Sequence, residues 1–438
     1  MPDQVRGHGY RPHTWGGRRH TGLIALSRGH PADEHGYGIP VFIAFAEVIG
    51  DVTVTGWDAE VAVVGLGAWG SAALWQLALR GVDVVGIERF VPGHAWGSSH
   101  GGSRMFRITC LEHPGLVPLA RRSRELWRHL EKEWGEELFV SSGGLLIGPR
   151  GGTIVGGTLR AADQHGIEVE TLSSAELRMR YPSHAAVPEE HIGVWEPSAG
   201  IVRPEASVRA AVGLASRNAN ARVLTGSQVS RVEVCSDGVE LVTGPRTLRV
   251  RQAVITVGAW LTTLLPGLPL ETIRMPISWF RPSAAGGEAK ADFDLDRFPV
   301  FMRELDHGPV LWGNGRENGH DVKLGLEYGG GGFRPMDPED TDRSVAAEDW
   351  SDLARLLSVY APGLEPIPAR AAVCMYARTP DDQFIIGRPG GDARLVIAGG
   401  CNAHGGKHAL GVGEALADLV TEGETRVPLE FTDPDRFS

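Results

Sequence analysis

The chain has 438 residues, enough for roughly two or three domains' worth of buried core, and its 42% hydrophobic and 22% charged residues are those of an ordinary globular protein. Its 43 basic against 54 acidic side chains leave a net charge of −11, which argues against a sequence-independent nucleic-acid binder, because phosphate neutralisation needs a basic face. Small anionic substrates, which need only one or two placed cations, stay open.

Residues 1–57 are rich in Gly, His and Arg and show neither a helical nor an alternating period, so they are expected to be a disordered N-terminal extension. Arg18-Arg19 suggests a twin-arginine export signal, but the apolar segment after it, Leu23 to Leu26, is far too brief. The longest apolar stretch, Ile39 to Ile49, falls short of the ~20 residues of a membrane span and is interrupted by Pro40 and Glu47. The four cysteines, Cys110, Cys235, Cys374 and Cys401, form no CxxC pair, so neither a zinc knuckle nor a thioredoxin-like motif is supported. A reduced, cytoplasmic protein is the simplest expectation.

Glu60-Val61-Ala62-Val63-Val64 reads as a buried parallel strand entering Gly65-Leu66-Gly67-Ala68-Trp69-Gly70. Ser71 to Arg80 reads as a helix closed by Gly81, and Val84 to Glu88 as a second strand ending in an acid. A GxGxxG turn alone is weak evidence. Between a strand and a helix, with an acid about 20 residues on, it is the context of a dinucleotide site. The glycines let the backbone approach a pyrophosphate, the helix N-terminus supplies unpaired amides, and Glu88 can accept hydrogen bonds from a ribose. Both FAD and NAD fit this unit, although no second GxGxxG turn is present for a nicotinamide partner.

Further on, Glu205 to Ser216 is predicted helical and Arg222 to Leu224 extended. Val239 to Val250 reads as a hairpin around Thr243-Gly244-Pro245, and Ala253 to Val257 as a buried strand leading into Gly258. Lys323, in Val-Lys-Leu-Gly-Leu, is either on the solvated face of an edge strand or a deliberately placed cation. Gly329-Gly330-Gly331-Gly332 suggests a mobile connection.

Ser98-Ser99-His100-Gly101-Gly102-Ser103-Arg104-Met105-Phe106-Arg107 resembles the segment after the FAD-binding unit in the monomeric sarcosine oxidase and N-methyltryptophan oxidase family, FAD-dependent amine oxidoreductases of the D-amino acid oxidase superfamily. The likeness continues in order through Val117 to Ser123, Gly258-Ala259-Trp260, Lys323-Leu324-Gly325, Ala372 to Tyr376 and Phe384-Ile385-Ile386. It ends with His404-Gly405-Gly406-Lys407 and Gly411-Val412-Gly413-Glu414, so it spans about residues 58–430.

The resemblance implies an α/β, two-domain fold: a doubly wound, Rossmann-like FAD-binding domain, and a substrate domain built on a mixed β-sheet. The first is expected at 58–139, 204–273 and 376–438, and the second at 140–203 and 274–375. The family match implies a thioether from Cys374 to the 8α carbon of the flavin, against the plainer reading of a buried core thiol. It implies that Lys323 promotes reaction of reduced flavin with dioxygen, and that Arg107 and Lys407 hold a substrate carboxylate. Arg104 and His100 match groups near the flavin, where cations can stabilise its reduced anionic form. His404 and Tyr376 match positions beside the ring and substrate, a satisfied core histidine being the plain alternative for His404. Arg89, Val229, Gly258 and Gly405 join Gly65, Gly67, Gly70 and Glu88 as expected cofactor contacts.

The implied reaction oxidises a carbon–nitrogen bond of a secondary amino acid such as sarcosine: a hydride equivalent passes to the flavin, the imine is hydrolysed, and dioxygen accepts the electrons to give hydrogen peroxide. A cyclic imino acid, a fructosyl amino acid, a specialised biosynthetic amine, or a dehydrogenase that bypasses dioxygen are alternatives. The family also implies a monomer with no metal. Three departures bear on substrate. Glu327 replaces a histidine, Trp312 a pocket tyrosine, and Gly400-Cys401-Asn402-Ala403 the usual Gly-Phe-Ser-Gly. Glu327 and Trp312 either face one pocket and can hold a cationic group, or are a solvated strand end and packing.

Overall fold

A strand that is apolar and β-branched on both faces is stable only where both faces are covered, and Ala59–Val64 is such a strand. In the computed structural model, which describes residues 56–283, 292–306, 308–328 and 334–438, it lies between two parallel neighbours, Val84–Ile87 and Arg246–Ile255. Ala221–Leu224 extends the sheet beyond the first, and Leu395–Gly399 beyond the second, also parallel. Helix Ala68–Leu79 is buried from Trp69 to Ala78, as an almost wholly apolar helix must be. Helices Pro204–Ala215 and Ala409–Thr421 pack against it. This eight-stranded sheet with its helices is the expected doubly wound unit.

The turn after the first strand shows why its glycines are needed. Gly65 has φ 86°, and a Cβ on Gly70 would lie 1.9 Å from the Gly65 carbonyl oxygen and 2.4 Å from Thr256 Oγ1. One expectation is corrected in this half of the molecule. The hairpin strand and the later buried strand are a single element, Arg246–Ile255. Its start pairs antiparallel with Val239–Thr243 and its end parallel with Ala59–Val64, so the chain passes from ribbon to sheet without a break.

The second sheet has nine strands and is mixed: Gly144–Pro149 runs parallel to Val300–Glu304, and the other pairings are antiparallel. The borders expected at 273/274 and 375/376 fall inside two of its strands. Glu271–Phe280 and Arg370–Arg378 pair along their length, from Glu271↔Arg378 to Trp279↔Arg370. Strand Val322–Tyr328 is interior, between Glu271–Phe280 and Pro309–Asn314, which removes the edge-strand reading of Lys323.

Side chains alternate across a strand, so register decides which residues share a face. The pairs Trp279↔Lys323, Asn314↔Lys323, Trp312↔Gly325, Val310↔Glu327 and Met275↔Cys374 put Lys323, Glu327, Trp312, Asn314 and Cys374 on one face. A short three-stranded sheet of Arg104–Phe106, Gly200–Val202 and Phe139–Val140 carries Arg104 and leads to Arg107. The expected extension 1–57, apart from Gly56 and Trp57, and the Gly329–Gly332 run lie outside the described residues. Trp57 lies under the guanidinium groups of Arg249 and Arg251, 5.0 and 5.2 Å from its ring centroid.

Candidate active site

The face just described closes on the doubly wound half to leave a cavity of about 950 Å3. It runs from the Gly65 turn past Glu88, Val229 and Gly258 to Cys374, Lys323, Arg107 and Lys407. Of the site residues expected from the sequence, all line it except Gly70, which is packed within the turn, and His100, which lies behind the wall.

At the dinucleotide end, Glu88 accepts from the backbone amides of Leu66 (2.7 Å) and Phe90 (2.9 Å). Its carboxylate thereby fixes the glycine turn, with His94 Nε2 3.5 Å from Oε1. Arg89, an expected cofactor contact, forms a bidentate pair with Glu339 (2.8 and 2.9 Å) and lies over the Phe90 and Trp260 rings. Trp69 Nε1 donates to the Gly405 carbonyl (3.0 Å), tying the first helix to the Gly405–His408 turn. A glycine turn against a helix N-terminus, a carboxylate at the end of the second strand and an elongated cleft beyond fit FAD.

At the middle of the cavity Lys323 is 3% exposed and donates to the Ser103 carbonyl (2.5 Å) and hydroxyl (3.4 Å). Ser103 in turn donates to Asn314 Oδ1 (2.8 Å). Burial, reinforced by the Arg104 charge, holds the Lys323 ammonium well below the usual lysine range. Arg104 donates to the carbonyls of Ser103 and Ser98 (2.8 Å each), and its Nη2 is 3.5 Å from Cys374 Sγ. Burial pushes Cys110 up to about 12 and Cys401 up to about 11. His100 is lowered to about 4 by burial and then by Arg104, so at neutral pH it is a neutral imidazole. Arg104 is the cation of this pair.

At the far end Arg107 and Lys407 converge on one oxygen, Glu112 Oε1, at 2.6 and 2.7 Å. Burial alone would raise the Glu112 carboxyl, but these two cations override it and hold it well below the usual range. Its Oε2 is buried with no hydrogen-bond partner among the described residues. Arg107 also donates to the Thr109 carbonyl. Glu196, fully buried, accepts from the amides of Ile108 (2.7 Å) and Thr109 (3.1 Å) and so fixes the segment that aims the guanidinium. His404 stacks on Phe384 at 4.7 Å and is lowered to about 4 by burial. The Tyr376 phenol is pushed up by burial and then by Glu327. Glu112, Glu196, Glu205 and Asn314 escaped the sequence reading. Only Glu112, the first acid after Arg107, had a local signal.

Fold and cavity together define the class of dinucleotide-dependent oxidoreductases. The model of the family described as FAD dependent oxidoreductase matches residues 60–419, and the chain belongs to that family. It is 36% identical over 385 residues to a monomeric sarcosine oxidase of Streptomyces avermitilis, covering 86% of this chain and 98% of that protein. It is 32% identical over 380 residues to an N-methyl-L-tryptophan oxidase of Yersinia pestis, covering 87% and 100%. The fold is shared with NikD, described as an unusual amino acid oxidase essential for nikkomycin biosynthesis, at a TM-score of 0.74 and 24% identity over 86% of this chain and 97% of that one. The protein is an FAD-dependent oxidoreductase acting on CH–NH donors. Among the described residues no helix is long and apolar enough to cross a membrane.

His100, His404 and His408 are all held below the ordinary histidine value by burial first. Between about pH 4 and 6.5 the unfolded chain therefore binds more protons than the folded one, so stability present above pH 6.5 is lost as pH falls towards 4. Each group fully in this regime contributes on the order of 1.4 kcal/mol per pH unit. The melting temperature should fall steadily from pH 6.5 through 5.5 to 4.5. A flat profile would mean that these imidazoles accept protons within the fold.

Proposed function

We propose that the protein is an oxidase of a secondary amino acid, an N-methyl amino acid of the sarcosine type, with dioxygen as electron acceptor. The observation that carries this reading is the meeting of Arg107 and Lys407 on a single carboxylate oxygen of Glu112, at 2.6 and 2.7 Å, in the cavity that Lys323 and Cys374 also line. Two buried cations able to grip one carboxylate can grip another, and a guanidinium beside an ammonium orients it. The names of the two relatives, both oxidases of N-methylated amino acids, support the same class.

Bound FAD supplies the two-electron acceptor for oxidation of the carbon–nitrogen bond. Gly65, Gly67, Glu88, Arg89, Val229, Gly258 and Gly405 would hold it, with Gly70 keeping the turn closed. Arg107 and Lys407 take the substrate carboxylate and fix the reacting carbon relative to the ring. The walls of His404 and Tyr376, both neutral at pH 7 by the directions of their shifts, leave the substrate amine uncharged neighbours. Arg104 would supply a positive charge beside the bound flavin, and Lys323, whose charged form burial disfavours, would be directed at dioxygen chemistry. The Cys374 thiol, in contact with the Arg104 guanidinium, is the attachment point for the 8α carbon. We read the enzyme as a monomer, as the relatives of that name are, working in a reducing cytoplasm in which its free cysteines stay thiols.

Anaerobic mixing with sarcosine, larger N-methyl amino acids, pipecolate, proline, fructosyl-valine and primary amino acids tests the reaction class. Bleaching of the flavin is expected with secondary amino acids, and bleaching by none of them would overturn it. In Lys323→Met, reoxidation of the reduced enzyme by dioxygen should slow by about a hundredfold or more, while anaerobic reduction changes far less. An unchanged oxidation rate removes Lys323 from this role. Acid precipitation of wild type should carry the flavin down with the chain, whereas Cys374→Ala should release it to the supernatant. Retention in the variant excludes attachment at Cys374.

A further inference from the structure

We propose that the wall around Glu327 and Trp312 is a subsite for a second positive charge on the substrate, so that the amino acid oxidised carries a basic nitrogen besides its reacting secondary amine. This rests on the amino-acid oxidase reading above and narrows it to a substrate class.

Glu327 and Trp312 project from the same face as Lys323. Trp312 pairs with Gly325 and Val310 with Glu327, so the indole and the carboxyl are diagonal neighbours across two strands, with Cβ atoms roughly 7–8 Å apart. A side chain at position 325 would block this arrangement. A Cβ on Gly325 would lie 2.0 Å from Trp312 Cζ2, so the missing side chain is what lets the indole lie flat across the strand towards the cavity. Both residues line that cavity together with Tyr376, Arg378, Asp382 and Glu112.

The charges facing Glu327 are already engaged with other partners. Glu112 is held by Arg107 and Lys407, and Arg378 pairs with Asp382 at 3.3 Å. Among the described residues the Glu327 carboxylate makes no hydrogen bond and no ion pair, which leaves it the cavity acid with no cation of its own. Burial and then the charges of Glu112 and Asp382 push its carboxyl up, against the pull of Arg378. A cationic nitrogen offsets those penalties through charge and also gains the face of the indole, whereas a neutral hydroxyl offers the carboxylate only a hydrogen bond. With a substrate carboxylate in the Arg107–Lys407 clamp, the side chain is the part free to reach this wall.

Two matched pairs test the inference on the holoenzyme. The reactive pair is α-N-methyl-lysine and α-N-methyl-norleucine, compared by anaerobic flavin reduction. The unreactive pair is 6-aminohexanoate and hexanoate, compared by titrating the perturbation of the flavin spectrum. The amino member of each pair is expected to win by about tenfold or more in wild type, and Glu327→Gln should cut the ratio to about threefold or less. Equal performance within both pairs in wild type overturns the subsite and leaves the oxidase reading standing. A preference that survives in Glu327→Gln, including an equal loss on both members, overturns it too, because Glu327 then serves the reacting nitrogen or neither. If 6-aminohexanoate alone binds better and Glu327→Gln abolishes this, while no secondary amine bleaches the flavin, the subsite stands and the oxidase reading fails.

Discussion

The buried cations are the constraint on which the rest of the site depends. Arg107, Lys323 and Lys407 are each no more than 3% exposed, and all face one cavity with Arg104 beside them. Taking such ions out of water costs several kcal/mol apiece unless charge and hydrogen bonds replace the lost solvent. Arg107 and Lys407 share Glu112, while Lys323, with no carboxylate partner among the described residues, is held by the Ser103 carbonyl and hydroxyl and by the face of the Trp279 ring. Ligands that bring charge and hydrogen bonds to these groups offset that cost, which links the stability of this region to its occupancy.

Holding those cations requires backbone that cannot drift, and acids outside the cavity wall supply it. Glu196 grips the amides after Arg107. Glu205, in the first turn of Pro204–Ala215, accepts from the amides of Gly101 (2.6 Å) and Gly102 (3.1 Å), fixing the turn that leads to Ser103 and Arg104. Ser103 joins the two halves of the molecule, since its carbonyl and hydroxyl meet Lys323 and its hydroxyl reaches Asn314 on the neighbouring strand of the nine-stranded sheet. Helix, turn and sheet are thus coupled through a few short contacts around Lys323.

The sequence made the first half of the fold legible because a parallel strand, a glycine turn and an apolar helix each follow from local chemistry. Val61 to Val64 need cover on both faces, and Gly70 admits no side chain. The long strand Arg246–Ile255 was split because its pairing changes partners midway, which no local pattern records. The site was legible where cations stand in ordered motifs, at Arg104, Arg107, Lys323 and Lys407. Their counter-charges were not, because Glu112, Glu196 and Glu205 look like ordinary surface acids until long-range packing buries them. His100 is a different case: its position was readable, but its charge depends on burial and on Arg104, which only the folded structure supplies.

The geometry of one strand accounts for how reaction and selectivity can vary separately. Lys323 and Glu327 are four residues apart on Val322–Tyr328, which at about 3.3 Å per residue separates them by roughly 13 Å on the same face. Gly325 between them carries no side chain, and the Trp312 indole occupies the space from the adjacent strand. The lysine end is held by the Ser103 carbonyl and hydroxyl and lies against the Trp279 ring. Among the described residues the Glu327 carboxylate has no bonded partner, so a change of residue there leaves the contacts that hold Lys323 in place. A strand built this way keeps Lys323 fixed while the residue four positions on can change independently.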